Sequence, residues 1–227
     1  MRQAFFWLTA LLLSSAAHAL SLDQLSNKDT ATGLKEALTQ GANQAVGSLG
    51  KADGFLGNPK VKIPLPGQLD KVTGLMRNLG MGAQVDELET AMNRAAEAAV
   101  PEARKLLVDS IKSMSVEDAK GILTGGDNAA TAYFRRTTSA PLTDKFKPIV
   151  QKAMAKVKLS ETYDRFAGKA AKFGALSQED SQLDGYVTRK ALDVLYLMIE
   201  EEEKAIRKDP VGAAGGMAKK VFGALGQ

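Results

Sequence analysis

The sequence predicts an all-α fold: a single-domain multi-helix bundle with one extended arm that is rich in proline and glycine. Over most of the chain, apolar residues recur every three or four positions, which places them on one face of an α-helix. Glycine, proline and capping residues separate these segments and fit the starts and ends of helices. Only one short stretch alternates apolar with polar residues, so the sequence offers no second strand to complete a sheet.

The first residues have the features of a secretory signal peptide. Met1-Arg2 gives a short positive start, residues 4–13 form an apolar run, and Ala17-His18-Ala19 is a cleavage signature of the A-x-A type. The apolar run is too short to span a membrane as a helix. We therefore expect residues 1–19 to be removed on export, and residues 20–227 to form one helical domain with no transmembrane segment.

Removal of the signal peptide restricts the chemistry of the exported chain. The sequence has one histidine, one tryptophan and no cysteine, and both His18 and Trp7 lie in the signal peptide. Nucleophilic mechanisms that need cysteine or a Ser–His pair are excluded, as are disulfides, thiolate or imidazole zinc sites and histidine-bound haem. The formal net charge of +4 falls to +3 when Arg2 is removed, which is too mild to indicate nucleic acid. No cofactor or metal is predicted.

The first half of the exported chain contains a series of predicted helices with apolar residues at helical spacing. In order, they are Asn27 or Asp29 to Leu49, Gln68–Leu79, Ala83–Ala99, Pro101–Met114 and a short helix that ends at Thr124. The last of these begins at Ser115, which resembles a capping box with Asp118. Four acidic residues of the third helix are interpreted as a solvated face rather than as paired acid–base groups: Asp86, Glu87, Glu89 and Glu97.

The predicted arm is Lys51–Gly67, which contains too much glycine and proline for a helix. Its apolar residues at 61, 63 and 65 alternate with lysine and proline, which suits an extended arm laid over an apolar surface. The alternative interpretation is a binding lid that exposes Lys60 and Lys62.

The second half is also predicted to be helical. Its segments are a helix from Leu142 to Val157, a helix capped by Ser160 that carries Tyr163, the long helix Leu183–Lys208 and a terminal helix Val211–Leu225. Pro148 should kink or split the first of these. The acidic run Glu200–Glu203 is interpreted as a solvated face, because it lacks the interleaved loop that calcium sites use. The terminal helix is expected to dock on the core rather than to lie on lipid.

One stretch, Ala119–Leu142, combines more helix signals and polar groups than any other. Gly125-Gly126 fits a helix end in the left-handed conformation, and Asp127 fits the N-cap of the next helix. That helix would carry Ala129, Ala132 and Tyr133 on one face.

The candidate site within this stretch is a binding site for an anion. Arg135 and Arg136 would lie in the last turns of a helix that ends before Pro141, which would begin another. Three residues between Arg136 and Pro141 carry hydroxyl groups: Thr137, Thr138 and Ser139. Guanidinium groups, hydroxyls and free helix amides that converge there, beside Tyr133, would suit a phosphate, sulfate or carboxylate. The alternative is that Asp127 and Ser139 are helix caps and the arginines pair with surface carboxylates.

Six strings of the sequence are distinctive when taken together. They are G-L-K-E-A-L at Gly33–Leu38, N-P-K-V-K-I-P-L-P at Asn58–Pro66, G-I-L-T-G-G-D at Gly121–Asp127, Y-F-R-R-T-T at Tyr133–Thr138, L-D-G-Y-V-T-R-K-A-L-D at Leu183–Asp193 and E-E-K-A-I-R-K-D-P at Glu202–Pro210. In these strings the chain resembles a family of bacterial exported proteins, the domain of unknown function 4197. The resemblance covers Leu20–Leu225. It implies an exported helical protein of Gram-negative bacteria and assigns no catalytic residue.

These observations lead to three hypotheses about function. The first is a periplasmic protein that binds an anionic small molecule or an envelope component through residues 133–139, with Asp127, Lys60 and Lys62 as secondary candidates. The second is an enzyme that uses carboxylate, lysine or tyrosine chemistry, for which the candidates are Asp127, Lys145, Tyr133 and Tyr163. The third is a structural or assembly role, which a continuous apolar surface patch would favour.

Overall fold

The computed structural model describes residues 27–67, 73–74, 76–158, 160–161, 164, 182–209 and 221 of the chain. Its α-helices are α1 (Asn27–Leu49), α2 (Gly82–Ala99), α3 (Ala103–Ser113), α4 (Val116–Thr124), α5 (Ala129–Met154) and α6 (Leu183–Lys208). A kinked turn, Arg77–Met81, with Gly80 in the left-handed conformation, leads into α2, and a 3-10 turn, Val100–Glu102, joins α2 to α3. No strand occurs in these residues, and the predicted all-α, multi-helix fold is confirmed.

Some predicted features lie outside the described residues, wholly or in large part. They are the signal peptide 1–19, the helix Gln68–Leu79, the helix that starts at Ser160 and carries Tyr163, and the terminal helix Val211–Leu225. Elsewhere the predicted bounds agree well with the structure. Helices α1 and α6 match them, α2 starts one residue early, and α4 follows the predicted capping box at Ser115 and Asp118.

Helices α5 and α6 form an antiparallel pair at the centre of the fold. Glu203, near the end of α6, bonds to Ala130 at the start of α5, whereas Gln151, near the end of α5, bonds to Asp184 at the start of α6. The side chains packed between and around them have no exposed surface: Phe134, Leu142, Phe146, Val150, Leu183, Val187, Ala191 and Leu195. Each of these side chains larger than alanine stabilises the fold by about 1.5–3 kcal/mol relative to its exposed state, so this pair is the main part of the core.

Helix α1 lies against α6, and the apolar faces of the two helices pack together. Leu34, Val46 and Leu49 are fully buried or nearly so. At Gly41 an added Cβ atom would lie 3.4 Å from the Ile206 side chain, which is closer than most such contacts. The glycine therefore allows the two helices to pack closely at this level.

The predicted break in the arginine stretch is wrong, because α5 continues from Ala129 to Met154 with Pro141 and Pro148 inside it. Residues buried at intervals of four cross both prolines: Phe134, Thr138, Leu142, Phe146, Val150 and Met154. Both prolines are exposed, off the buried stripe. A proline inside a helix costs about 3 kcal/mol, and burial of this stripe is large enough to outweigh it. Pro148 therefore does not split the helix, and no chain reversal follows Thr137.

The predicted cap of α5 is also wrong. The N-cap residue is Asn128, which makes no side-chain capping bond, and Asp127 is exposed one residue earlier. The amides of Ala130 and Thr131 bond instead to the carboxylate of Glu203, at 2.9 Å each. Glu203 is only 4% exposed, so the prediction that residues 200–203 form a solvated face is wrong for this residue. A carboxylate from a distant helix replaces the local cap.

The connection between α4 and α5 differs from the prediction in its backbone conformation and in its buried residues. Gly125 follows α4 as expected, but its backbone is extended (φ −81°, ψ 177°) rather than left-handed. An added Cβ atom at Gly125 would lie 2.7 Å from the Ala129 Cβ, so close approach explains the glycine. The buried face of α5 begins with Ala130, Thr131, Tyr133 and Phe134, whereas Ala132 is exposed.

The segment between α1 and α2 is bound to α2 by buried polar side chains. Asn93 accepts from the amide of Ile63 and donates to its carbonyl, and Glu97 accepts from the amides of Phe55 and Leu56. Glu97 is 5% exposed, so its assignment to a solvated face is wrong. Turns and bends occupy residues 50–61, and the predicted extended arm is therefore not confirmed as such.

Candidate functional site

The hydroxyl groups of the candidate anion site are engaged in hydrogen bonds within the protein. Thr137, Thr138 and Ser139 each donate to the carbonyl four residues earlier, at 2.9, 2.6 and 2.6 Å. The Thr138 and Ser139 oxygens also lie 2.9 and 3.2 Å from the hydroxyl of Tyr196. Because α5 is continuous here, these hydroxyls do not meet free helix amides, which the predicted geometry required.

Tyr133 joins α5 to α3. Its hydroxyl donates to the Ser110 carbonyl at 2.7 Å, and its ring is 5% exposed. The Ser110 hydroxyl lies 2.7 Å from that of Thr137, which extends the same link. These bonds give Tyr133 a structural role at the contact between the two helices.

Arg136 is fixed by a carboxylate and an aromatic ring. Its Nη2 donates to Asp118 at 2.8 Å, and its guanidinium carbon lies 5.4 Å from the centre of the Tyr133 ring. Asp118 is already part of the capping box of α4, where it accepts from the amide and hydroxyl of Ser115. The pKa of Asp118 is held below its usual value, mainly by the hydrogen bonds from Ser115 and to a smaller extent by the pairing with Arg136. Arg136 therefore ties α5 to the start of α4.

Asp118 should make stability depend on pH in acid. A carboxyl group with a lowered pKa in the folded state stabilises the fold above its unfolded pKa of about 3.9, and this contribution is lost as pH falls through the folded pKa. We expect Asp118→Ala to lower the free energy of unfolding by about 1 kcal/mol at pH 7, and by less at pH 3. Urea denaturation at both pH values measures the difference. Asp144→Ala, at an exposed position of α5, is the control, and a deficit that is equal at both pH values would contradict the assignment.

Arg135 is held less tightly than Arg136. Its guanidinium carbon stacks 4.7 Å from the centre of the Tyr196 ring, and its Nη1 lies 3.6 Å from Asp193, beyond hydrogen-bonding distance. Both side chains of this pair are about half exposed, at 47% and 50%. Such a pair contributes little to stability and leaves the N–H groups of Arg135 available to another acceptor.

Asp193 also lies at the wall of a surface groove that runs between residues 60–64 and α6. The hydroxyl of Tyr186 donates to the Pro64 carbonyl at 3.0 Å and fixes this segment against α6. The residues that line the groove are Lys60, Val61, Lys62, Ile63, Pro64, Lys190, Asp193, Val194 and Leu197. We call this feature, together with Arg135, the basic groove. It brings the secondary candidates Lys60 and Lys62 to the same side of α6 as Arg135.

The charges of the basic groove are only partly compensated by neighbouring acids. Lys60 is 76% exposed and lies 3.9 Å from Glu201, whereas Lys62 lies 3.2 Å from Glu89. Exposed pairs of this kind are worth less than about 1 kcal/mol and exchange partners readily. Leu197, which is 41% exposed, adds an apolar side chain at the edge. The groove thus combines cationic groups with an apolar floor.

The residues proposed for an enzymatic site are not brought together. Asp127 precedes α5, whereas Lys145 lies within it, about 24 Å from the helix start along the axis at 1.5 Å per residue. The phenol of Tyr133 is buried and bonded to Ser110. Tyr163 lies outside the described residues. In the part of the chain that the structure describes, no three side chains of the metal-binding kinds are grouped to hold a metal ion.

Taken together, these features define an all-α protein whose described surface carries a basic groove along its last long helix. Within the residues described, no helix combines the length and apolar character needed to cross a lipid bilayer. The chain belongs to the family described as Protein of unknown function (DUF4197), whose sequence model matches residues 24–223. The resemblance noted in the sequence is thereby confirmed. No curated protein and no solved structure matches the chain significantly.

Proposed function

We propose that this protein is an exported, periplasmic binding protein that holds an amphiphilic anion of the cell envelope in the basic groove. Its ligand would carry a phosphate or carboxylate head and an apolar chain. The signal sequence at residues 1–19 supports export. The observation that carries the binding proposal is Arg135, which is stacked on Tyr196 yet has its nearest carboxylate, among the described residues, at 3.6 Å.

Stacking makes Arg135 a preorganised anion binder. The Tyr196 ring is buried, at 1% exposure, and is itself fixed by the hydroxyl of Thr138. An arginine held on such a ring loses less side-chain entropy when it binds an oxyanion, and its planar group can bind two oxygens at once. The predicted site residues therefore act in two ways: Arg135 faces the ligand, whereas Tyr133, Thr137, Thr138 and Ser139 belong to the framework.

The rest of the basic groove suits the remainder of an amphiphile. Lys60, Lys62 and Lys190 would attract the head group over a distance set by the ionic strength, about 8 Å at physiological salt. Val194 and Leu197 would contact the first carbon atoms of its chain. Asp193 opposes anion binding, but its carboxylate is half exposed and can remain paired with Arg135.

A binding experiment with two matched arginines tests this proposal. We expect the purified protein to bind dodecyl phosphate and dodecanoate below their micelle concentrations, and dodecyl maltoside at least tenfold more weakly, in isothermal titration. Arg135→Ala should weaken binding of the anions about tenfold, because a charge-assisted bond is lost. Arg136→Ala, the neighbouring arginine bonded to Asp118, should change the affinity less than twofold.

A lysine double variant of the basic groove distinguishes a free amphiphile from a membrane surface. Vesicles of phosphatidylcholine with and without phosphatidylglycerol are added in a sedimentation assay. Binding to the anionic vesicles that is lost in Lys60→Gln/Lys62→Gln would assign the head group to a lipid in a bilayer. Equal affinity for the charged and uncharged detergents, or equal losses in the two arginine variants, would refute the proposal.

A further inference from the structure

Thr188 on α6 carries a hydroxyl that has no partner. The residue is 3% exposed, and its Oγ1 is the one buried side-chain polar atom in the described residues that makes no hydrogen bond. A buried hydroxyl without a partner costs about 1–3 kcal/mol, and native structures rarely contain one without a reason. Other buried polar side chains of α5 and α6 are satisfied; Thr131, Thr138 and Glu203 each make bonds shorter than 3 Å. Thr188 is therefore an exception within a well-bonded core.

Thr188 lines a cavity of about 340 Å³ between the start of α6 and the middle of α5. Its other lining residues are Thr143, Lys147, Gln182, Gly185, Arg189 and Leu192. A volume of this order accommodates a small organic molecule. The cavity is separate from the basic groove, because no lining residue is shared between the two.

The chemistry of this cavity is that of an oxyanion site. Lys147 and Arg189 are cationic, and Gln182 and the two threonines add groups that donate hydrogen bonds. Two described acids lie near the start of α6, and neither lines the cavity: Asp184 accepts from Gln151 and from the amide of Gly185, and Asp164 accepts from the amide of Leu183. The cavity also lies beside the first turn of α6, where the helix dipole favours negative charge.

We propose that this cavity binds a small molecule through a phosphate or carboxylate group, with the Thr188 hydroxyl as one of the donors to that group. Lys147 supplies a charge from α5, and Arg189 supplies one from α6. Such a ligand would bridge the two central helices at the end opposite to Glu203. The site is additional to the basic groove and does not depend on it.

Titration calorimetry with small probes tests this inference. Inorganic phosphate, methyl phosphate, acetate and succinate are titrated into the purified protein, and the probes with the higher affinity identify the head group. We expect saturable binding of at least one probe. Lys147→Gln and Thr188→Val should each weaken it about tenfold or more, since each removes a bond to a charged group.

Two controls make the outcome decisive. Lys145→Gln removes the same charge from an exposed position on the same helix and should not change the affinity for the small probes. The titrations are also carried out in an Arg135→Ala background, which disables the basic groove, so that the saturable binding measured there belongs to the cavity. Thr188→Val should not lower the melting temperature of the unliganded protein, because the hydroxyl has no partner to lose. Absence of saturable binding, equal losses in Lys145→Gln and Lys147→Gln, or a destabilised Thr188→Val variant would overturn the proposal.

Discussion

Replacement of Glu203 by alanine should destabilise the protein by about 3–5 kcal/mol, as much as truncating a large apolar side chain of the α5–α6 core. One carboxylate oxygen accepts from the amide of Ala130 and from Arg207, and the other accepts from the amide and hydroxyl of Thr131. The substitution removes all of these bonds at once. Chemical denaturation gives the change in the free energy of unfolding.

The size of this effect follows from where the orphaned groups lie. Ala130 is fully buried and Thr131 is 2% exposed, so water cannot replace the lost acceptor. Each buried amide without a partner costs about 1–3 kcal/mol. Arg207, whose side chain is 15% exposed, would also lose its carboxylate and keep only its bond to the Ile122 carbonyl. Asn128 offers no cap that would compensate.

Variants at the same and a neighbouring position give the comparison. Glu201→Ala removes an exposed acid of the same run, whose nearest partner, Lys60, is 3.9 Å away, and should change stability by less than about 0.5 kcal/mol. Glu203→Gln keeps the shape but offers one accepting oxygen where two are used, so we expect an intermediate loss. A change below 1 kcal/mol in Glu203→Ala would show that the cap contributes little.

Local signals in the sequence were sufficient for most of the fold. The bounds of α1 and α6 and the capping box at Ser115 depend on helical spacing and on neighbouring residues, which the sequence displays directly. The kinked turn before α2 contains Gly80 at φ +80°, a left-handed conformation that glycine adopts without a Cβ clash. These features are decided within one or two turns of helix.

The error in α5 arose because tertiary packing decides between helix and break there. Thr137, Thr138, Ser139 and Pro141 form a polar run with a proline, which by itself favours the end of a helix. The sequence does not display the bond from Thr138 to Tyr196 or the burial of Leu142 against α6. Those contacts join residues far apart in the chain, and they outweigh the local preference.

The candidate site was predicted in its residue types more than in its geometry. Arg135 and Arg136 are adjacent in the sequence, which does not tell them apart. The structure shows that Arg135 makes a loose, half-exposed pair with Asp193, whereas Arg136 donates a short hydrogen bond to Asp118. Lys60 and Lys62 join Arg135 only because residues 60–64 lie along α6. Nothing in the sequence marks Thr188 as a site residue, because threonine is common in amphipathic helices.

Buried acids illustrate the same limit. Glu203 lies four residues after Ile199 and three before Ile206, at positions that continue the apolar stripe of α6, so its spacing indicated burial even though its charge did not. Glu97 follows Asn93 by four residues in the same way. A charged or amide residue in register with an apolar stripe is therefore a signal for a buried polar bond to a distant segment.

Asn93 supports the second prediction, in which Asn93→Asp destabilises the protein by about 3–5 kcal/mol at pH 7. The side chain has no exposed surface. Its oxygen accepts from the amide of Ile63 at 2.8 Å, and its nitrogen donates to the carbonyls of Ile63 and Glu89 at 3.0 and 2.8 Å. The substitution keeps the shape but places a carboxylate oxygen against two carbonyl oxygens in a dry site.

The introduced carboxyl should also make the loss depend on pH. Burial and the facing carbonyls raise its pKa in the folded state above the unfolded value of about 3.9, so the folded protein binds the proton more tightly. The loss of stability in Asn93→Asp is therefore smallest in acid. It grows as pH rises through the pKa of the unfolded state, until the folded carboxyl ionises as well. Asn93→Ala lacks this group and should show a deficit of about 2–4 kcal/mol that does not change between pH 4 and pH 7 beyond the change of the unmodified protein. Denaturation curves of both variants across this pH range test the prediction. Parallel pH profiles of the two variants would mean that the side chain at position 93 does not hold the 60–64 segment. The groove formed by this segment and α6 would then need another anchor.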